Sequence, residues 1–182
     1  MPPTPTPIIE RRKEYRLPYD QKIIFTDGES AVAAYAINIS RGGIFVTSLD
    51  PFPIDTTGFV ALLLPNQTHC LSVKAKVAHI VFDRQRCEIE CGMGFQFLDL
   101  NEQQRSILNL HILNEQATYL ELKKLLVTDR PDAQELARCL KRMPSLLKYD
   151  LLGLRYKVNR ICTIFEPDPS LFADSENEKQ SA

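Results

Sequence analysis

The sequence predicts a mainly β fold, an antiparallel barrel, followed by a C-terminal helical module. Two observations carry this. Between Arg16 and Leu98 apolar residues recur at every second position or in short runs stopped by turn residues. That is the pattern of strands with a face on a core. Beyond Leu98 the spacing changes to three and four, the pattern of helices that bury one side. The chain has 182 residues, 44% of them hydrophobic, enough for one globular domain with an extension.

The elements follow in order. Residues 1–8 hold four prolines and are expected to form a disordered, extended tail. Residues 31–39 are apolar and short-sided. Gly58 to Leu64 is an apolar run stopped by Pro65-Asn66, which fits a buried strand. Leu71, Val73, Ala75 and Val77 alternate with Ser72, Lys74 and Lys76, a half-buried strand. Asp83 to Arg86 is the expected turn of a hairpin. Its second arm alternates Cys87, Ile89, Cys91, Met93, Phe95 and Phe97 with polar residues and glycine. Several short strands separated by turns predict an antiparallel barrel.

Asn101, with Gln104 three later, is a helix start. The helix carries two apolar stripes: Ile107, Leu110, Leu113, Ala117 and Leu120, and Leu108, Ile112, Tyr119, Leu122 and Leu126. The barrel can cover only one, so the other needs a further partner. Asp129-Arg130-Pro131 ends it, and Asp132 with Glu135 opens a short helix. A third is expected to start at Pro144, with a heptad-like seam of Leu147, Leu151, Leu154, Val158, Ile161 and Phe165. Packing on the first helix and self-association both satisfy that seam, so helices 101–127 and 145–165 are a route to a homo-oligomer. The expected organisation is a tail over 1–8, the barrel with its following helix over 9–115 and a helical extension over 116–166. A disordered acidic tail over 167–182 completes it.

Two short runs point to function. One is Arg12-Lys13-Glu14-Tyr15-Arg16, an RxxxR spacing. The other is Asn38-Ile39-Ser40-Arg41-Gly42-Gly43, an NxSxxG spacing. A guanidinium fork meets phosphate bidentately and keeps its charge, and the same fork matches the O6/N7 edge of guanine. Asn38 and Ser40, two apart, would share a strand face. The Asn38 carbonyl can accept from guanine N–H groups and the Ser40 hydroxyl can donate to phosphate. Gly42 and Gly43 allow positive φ or a close backbone approach.

These two runs in this order, with Gly92-Met93-Gly94-Phe95-Gln96-Phe97-Leu98 behind them, resemble the PilZ domain family over roughly residues 9–115. The resemblance implies a six-stranded antiparallel barrel that binds the bacterial second messenger cyclic di-GMP. By resemblance the ligand-site residues are Arg12, Arg16, Asn38, Ser40 and Gly43, with Gly42 in the same turn. Asn38 stands where many members have Asp, which removes an anionic acceptor. In this family the residue ahead of RxxxR can influence whether one or two nucleotides bind. Here that residue is Arg11, which favours two per chain over one.

Other classes find little support. Net charge is −1, from 22 basic and 23 acidic residues, against the strongly basic surface of a bulk nucleic-acid binder. No run approaches 18 apolar residues, so no membrane-spanning helix is expected. The five cysteines are scattered and odd in number, as in a reducing cytoplasm, the expected location. Cys87 and Cys91 on one strand would lie about 13 Å apart at about 3.3 Å per residue, too far to share a metal. His69, His79 and His111 are dispersed. No metal, cofactor or catalytic motif is expected, and the motifs of the enzymes that make or destroy cyclic di-GMP are absent. The sequence therefore reads as a cytoplasmic receptor. It would pass the signal by conformational change to an unidentified protein with a motility, biofilm or virulence output. The alternative is a structural or interaction protein that assembles through its C-terminal helices and carries a vestigial site.

Overall fold

The computed structural model describes residues 15–64, 70–82 and 91–165. The strands are β1 (Leu17–Thr26), β2 (Ala31–Ile39), β3 (Gly43–Thr47), β4 (Thr57–Leu62), β5 (Leu71–Val81) and β6 (Gly92–Phe97). They close a six-stranded antiparallel barrel in the order β1-β2-β3-β6-β5-β4, with β4 returning to β1. Alternation fills it: Leu17, Ile23, Phe25, Val60, Leu62, Val73, Ala75, Val77 and Met93 are at most 1% exposed. The predicted hairpin turn over Asp83–Arg86, with Cys87 and Ile89, lies outside the described residues. The β1–β2 turn is chemically plain. The Asp27 carboxylate accepts from the Glu29 and Ser30 N–H groups at 3.0 and 2.8 Å, and Gly28 sits at φ +100°. Those hydrogen bonds, Ser30 first, hold the Asp27 carboxyl below its ordinary range.

The helices are α1 (Glu102–Leu126), α2 (Ala133–Arg142) and α3 (Leu151–Phe165). The predicted capping box is present: Gln104 N–H donates to Asn101 Oδ1 at 2.8 Å, and Asn101 N–H donates to Gln104 Oε1 at 3.0 Å. Gln104 also donates to the Ser72 carbonyl at 2.7 Å, which ties the helix start to β5. The Asp132 carboxylate caps α2 by accepting from the Gln134 and Glu135 N–H groups at 2.9 Å.

One expectation changes here. Pro144 opens only a short 3₁₀ turn, Pro144–Leu146, and α3 begins at Leu151. The reason is Asp150, whose carboxylate accepts from Gly153 N–H at 2.7 Å and restarts the helix as an N-cap. The heptad-like seam resolves mainly into intramolecular packing. Leu154, Val158 and Ile161 are buried in one core with Tyr119, Leu122 and Leu126 of α1, while Leu147 is left 64% exposed. Of the two stripes of α1, the one through Leu108, Ile112, Tyr119, Leu122 and Leu126 is buried; Leu110 and Leu113 of the other face outward. No helix among the described residues is long and apolar enough to cross a membrane.

Where barrel and helices meet, Glu115 of α1 lines a cleft of about 300 Å³ with Tyr19, His111 and Arg142. Tyr19 and His111 meet edge to face, ring centroids 5.8 Å apart. Burial raises the Glu115 carboxyl to about 7, with Arg142 opposing, and burial lowers His111. The folded protein keeps a proton on Glu115 that the unfolded chain, titrating near 4.5, releases. The Glu115 contribution to stability is therefore full below about pH 4.5 and is lost as pH rises through about 7. His111 acts in the opposite sense: its contribution is present above its ordinary 6.5 and is lost as pH falls through its lowered folded value. Glu115→Gln should remove the downward component between those limits, so urea midpoints of the variant should fall less with rising pH than the parent's. Parallel pH profiles would mean that Glu115 carries no such proton.

Candidate functional site

The NxSxxG run sits at the β2–β3 turn, and β-bulges aim it. Along β2, Ala34 and Ala36 are buried, so strict alternation would send Asn38 into the core. The pairing of β2 with β3 shifts between Ala36 and Asn38. The inward phase passes to Ile39, which is fully buried, and Asn38 is left on the outside of the barrel. A second shift lies between Pro18 and Gln21 of β1, directly across.

Asn38 pairs with Pro18 on one side and Phe45 on the other. It is half-buried, and its Oδ1 is buried with no hydrogen-bond partner among the described residues. An unmet buried acceptor costs roughly 1–3 kcal/mol.

Ser40 lies one residue beyond β2, not on the strand as expected, and is 6% exposed. Its N–H donates to the Gly43 carbonyl at 2.8 Å. Its Oγ accepts from Gly42 N–H at 3.3 Å and donates weakly to the Gly43 carbonyl at 3.4 Å. The hydroxyl thus holds the turn from inside. Gly42 contributes its carbonyl to the Phe97 N–H at 2.9 Å.

Gly43 is required for close approach and not for positive φ. A Cβ there would stand 2.2 Å from the Phe95 carbonyl oxygen of β6, and backbone cannot swing aside as a side chain does. Gly43→Ala should therefore destabilise the barrel by about 1–3 kcal/mol, read from the urea midpoint. An unchanged midpoint would show that β3 and β6 part without cost.

Arg16 immediately precedes β1. Since Leu17 pairs with Ile39, one step further out brings Arg16 alongside Ser40, so the second arginine of RxxxR and the NxSxxG turn meet at one end of β1 and β2. Arg11 and Arg12 lie outside the described residues.

Sequence reasoning missed the surroundings of Asn38. Phe45, its partner on β3, is outside the barrel yet only 9% exposed. It stacks on His79 of β5, centroids 5.8 Å apart and planes at 22°. Gly94 makes this possible, because a Cβ there would fall 1.9 Å from an imidazole carbon of His79. The glycine pattern of β6 was the available signal. On the other flank of the turn, Arg41, Gly42, Asp99 and Arg105 line a polar groove of about 580 Å³. No cluster of three or more His, Cys, Asp or Glu able to hold a metal occurs among the described residues.

The PilZ domain family model matches residues 10–114. Among solved structures the chain is similar to the Bacillus subtilis inhibitor of motility MotI/DgrA, with 21% identity, TM-score 0.49, and coverage of 59% of this chain and 52% of that one. It is also similar to the PilZ domain of YcgR from Escherichia coli, solved with c-di-GMP, at 15% identity, TM-score 0.44 and coverage of 59% and 94%. The PilZ domain of CeSA from a cellulose-synthesizing bacterium matches at 19% identity, TM-score 0.43 and coverage of 56% and 98%. The chain spans about half the length of the Bacillus protein. No curated protein sequence matches at a significant level. With its family model matched over more than half of its length and its six strands closed into the expected barrel, the chain belongs to the PilZ domain family.

Proposed function

We propose that the protein is a receptor for cyclic di-GMP, held between the arginines of the RxxxR run and the β2–β3 turn. The observation that supports it best is Asn38. Two bulges turn this side chain outward, yet its Oδ1 is buried and unmet among the described residues. A guanine N1–H or N2–H supplies the missing donor. Arg16, and Arg12 and Arg11 ahead of it, supply cations for two phosphates and for guanine edges. Ser40, Gly42 and Gly43 build the turn that holds Asn38 beside them. Arg11 adds a plane for a second nucleotide, giving two per chain. A vestigial site is the poorer reading, because it leaves Asn38 with the cost of burial and no benefit.

The location is the cytoplasm, where the messenger is made, and the reaction catalysed is none. The output runs through the helical module to a protein partner. The outward residues Leu110 and Leu113 of α1, with Leu147 and Leu152 beyond, offer a surface for that partner or for a second copy of the chain.

The test is selectivity. Cyclic di-AMP keeps the ring and both phosphates but lacks guanine O6 and the N1–H and N2–H donors, and GMP lacks the ring. Both should compete with labelled cyclic di-GMP far more weakly than the unlabelled ligand does. Asn38→Ala should narrow the gap between the guanine and adenine ligands. Equal competition by cyclic di-AMP would defeat the Asn38 and arginine assignments.

A further inference from the structure

A second cleft opens beside Asn38, between the barrel and the helical module. Its volume is about 420 Å³, within the range of small-molecule sites. Pro18, Tyr35 and Ile37 form its barrel wall, and Lys148, Tyr149 and Lys157 form its helical wall. Pro18 is the cross-strand partner of Asn38, and Ile37 is its chain neighbour. The cleft therefore adjoins the unmet Asn38 acceptor.

Asp20 also lines this cleft, so it sets two lysines against one carboxylate. Lys157 is half-buried and pairs with no carboxylate among the described residues. Lys148 keeps only a long contact to Asp20, at 3.8 Å, and its ammonium lies 5.7 Å from the centroid of the Tyr149 ring. For the half-buried Lys157 the lack of a nearby anion is unfavourable, and a phosphate beside it removes that cost, with the largely exposed Lys148 adding a second cation. Tyr35 and Tyr149 add aromatic surface on which a base can lie. An anionic ligand with a flat base suits this wall better than an apolar peptide does.

We propose that this cleft is a continuation of the nucleotide site, in which Lys157 and Lys148 take a phosphate of the cyclic di-GMP whose guanine is met by Asn38. The proposal rests on the receptor reading and adds a role for α3: the ligand is shared between barrel and helical module, so binding fastens α3 to the barrel. The 3₁₀ turn and α3 then carry occupancy to whatever surface the helices present.

The experiment uses the full chain. Lys148→Gln/Lys157→Gln should weaken cyclic di-GMP binding by at least about tenfold in calorimetric titration, since a charged hydrogen bond is lost at each position. Lys157→Arg, which keeps the cation, should keep most of the affinity. In hydrogen exchange, cyclic di-GMP should slow the amides of 149–165 in the parent and leave them unprotected in the double variant. Matching urea midpoints for parent and variants establish that the fold is intact. Parental affinity in the double variant, with no ligand-dependent protection of α3 in the parent, overturns the proposal. If Arg16→Ala loses affinity in that same series, the receptor reading stands without the helical contact. A parent that takes up no nucleotide removes both.

Discussion

Arg16→Ala should weaken cyclic di-GMP binding by at least about 2 kcal/mol, or roughly thirtyfold, because charged hydrogen bonds contribute about 1.5–3 kcal/mol each. The register of β1 on β2 brings Arg16 to the turn that carries Asn38 and Ser40, where its guanidinium can reach a phosphate and a guanine edge together. Arg12→Ala should lose a comparable amount, since the proposed site takes one ligand between the two guanidinium groups of RxxxR. Arg11→Leu should instead move the stoichiometry from two toward one and leave measurable affinity. A lysine at position 16 should rescue only part of the loss, because an ammonium is a point charge without the planar fork. Calorimetry checks affinity, and circular dichroism melting separates a lost contact from a lost fold. If both alanine variants titrate like the parent, the site does not lie at these residues.

Phe25→Ala should cost about 3–5 kcal/mol of stability, a large part of the roughly 5–15 kcal/mol that holds a domain together. Phe25 is fully buried. Its ring meets Phe52 edge to face at 4.9 Å and Phe95 tilted at 4.6 Å. It also lies over Gly58, where a Cβ would come within 2.9 Å of the ring. Alanine removes the ring from between neighbours on three other segments, and the closed barrel cannot collapse to fill the space. The variant should show a much lower urea midpoint with little change in slope. A loss below about 1 kcal/mol would mean that the barrel interior is far looser than this packing requires.

Much of this was legible in the sequence, for reasons that particular residues make plain. Leu71 to Val77 alternate cleanly because one face of the strand fills the barrel, and burial follows the alternation; Met93, Phe95 and Phe97 fill it likewise, although Gly94 between them is buried too, against His79. Asn101 with Gln104 and Asp132 with Glu135 mark helix starts because unmet N–H groups demand such acceptors. Bulges leave no mark of that kind. Read by alternation alone, Asn38 falls in phase with the buried Ala34 and Ala36; only pairing with β3 shows the phase passing to Ile39. Ser40 looked like a free hydroxyl because the sequence does not show that Gly42 N–H turns back on it. The seam from Leu147 to Phe165 has the same spacing whether it packs on α1 or on another chain. Its inner residues met α1, and Asp150 moved the helix start past Pro144. The approach of Lys157 to Ile37 depends on how α3 folds back, and no local pattern encodes it.

The most direct test of cyclic di-GMP binding is calorimetric titration of the 182-residue chain with the nucleotide. Saturable binding with a ratio near two nucleotides per chain is expected, with affinity that collapses in Arg16→Ala. A titration without binding heat at several temperatures, with the barrel shown to be folded, would contradict it.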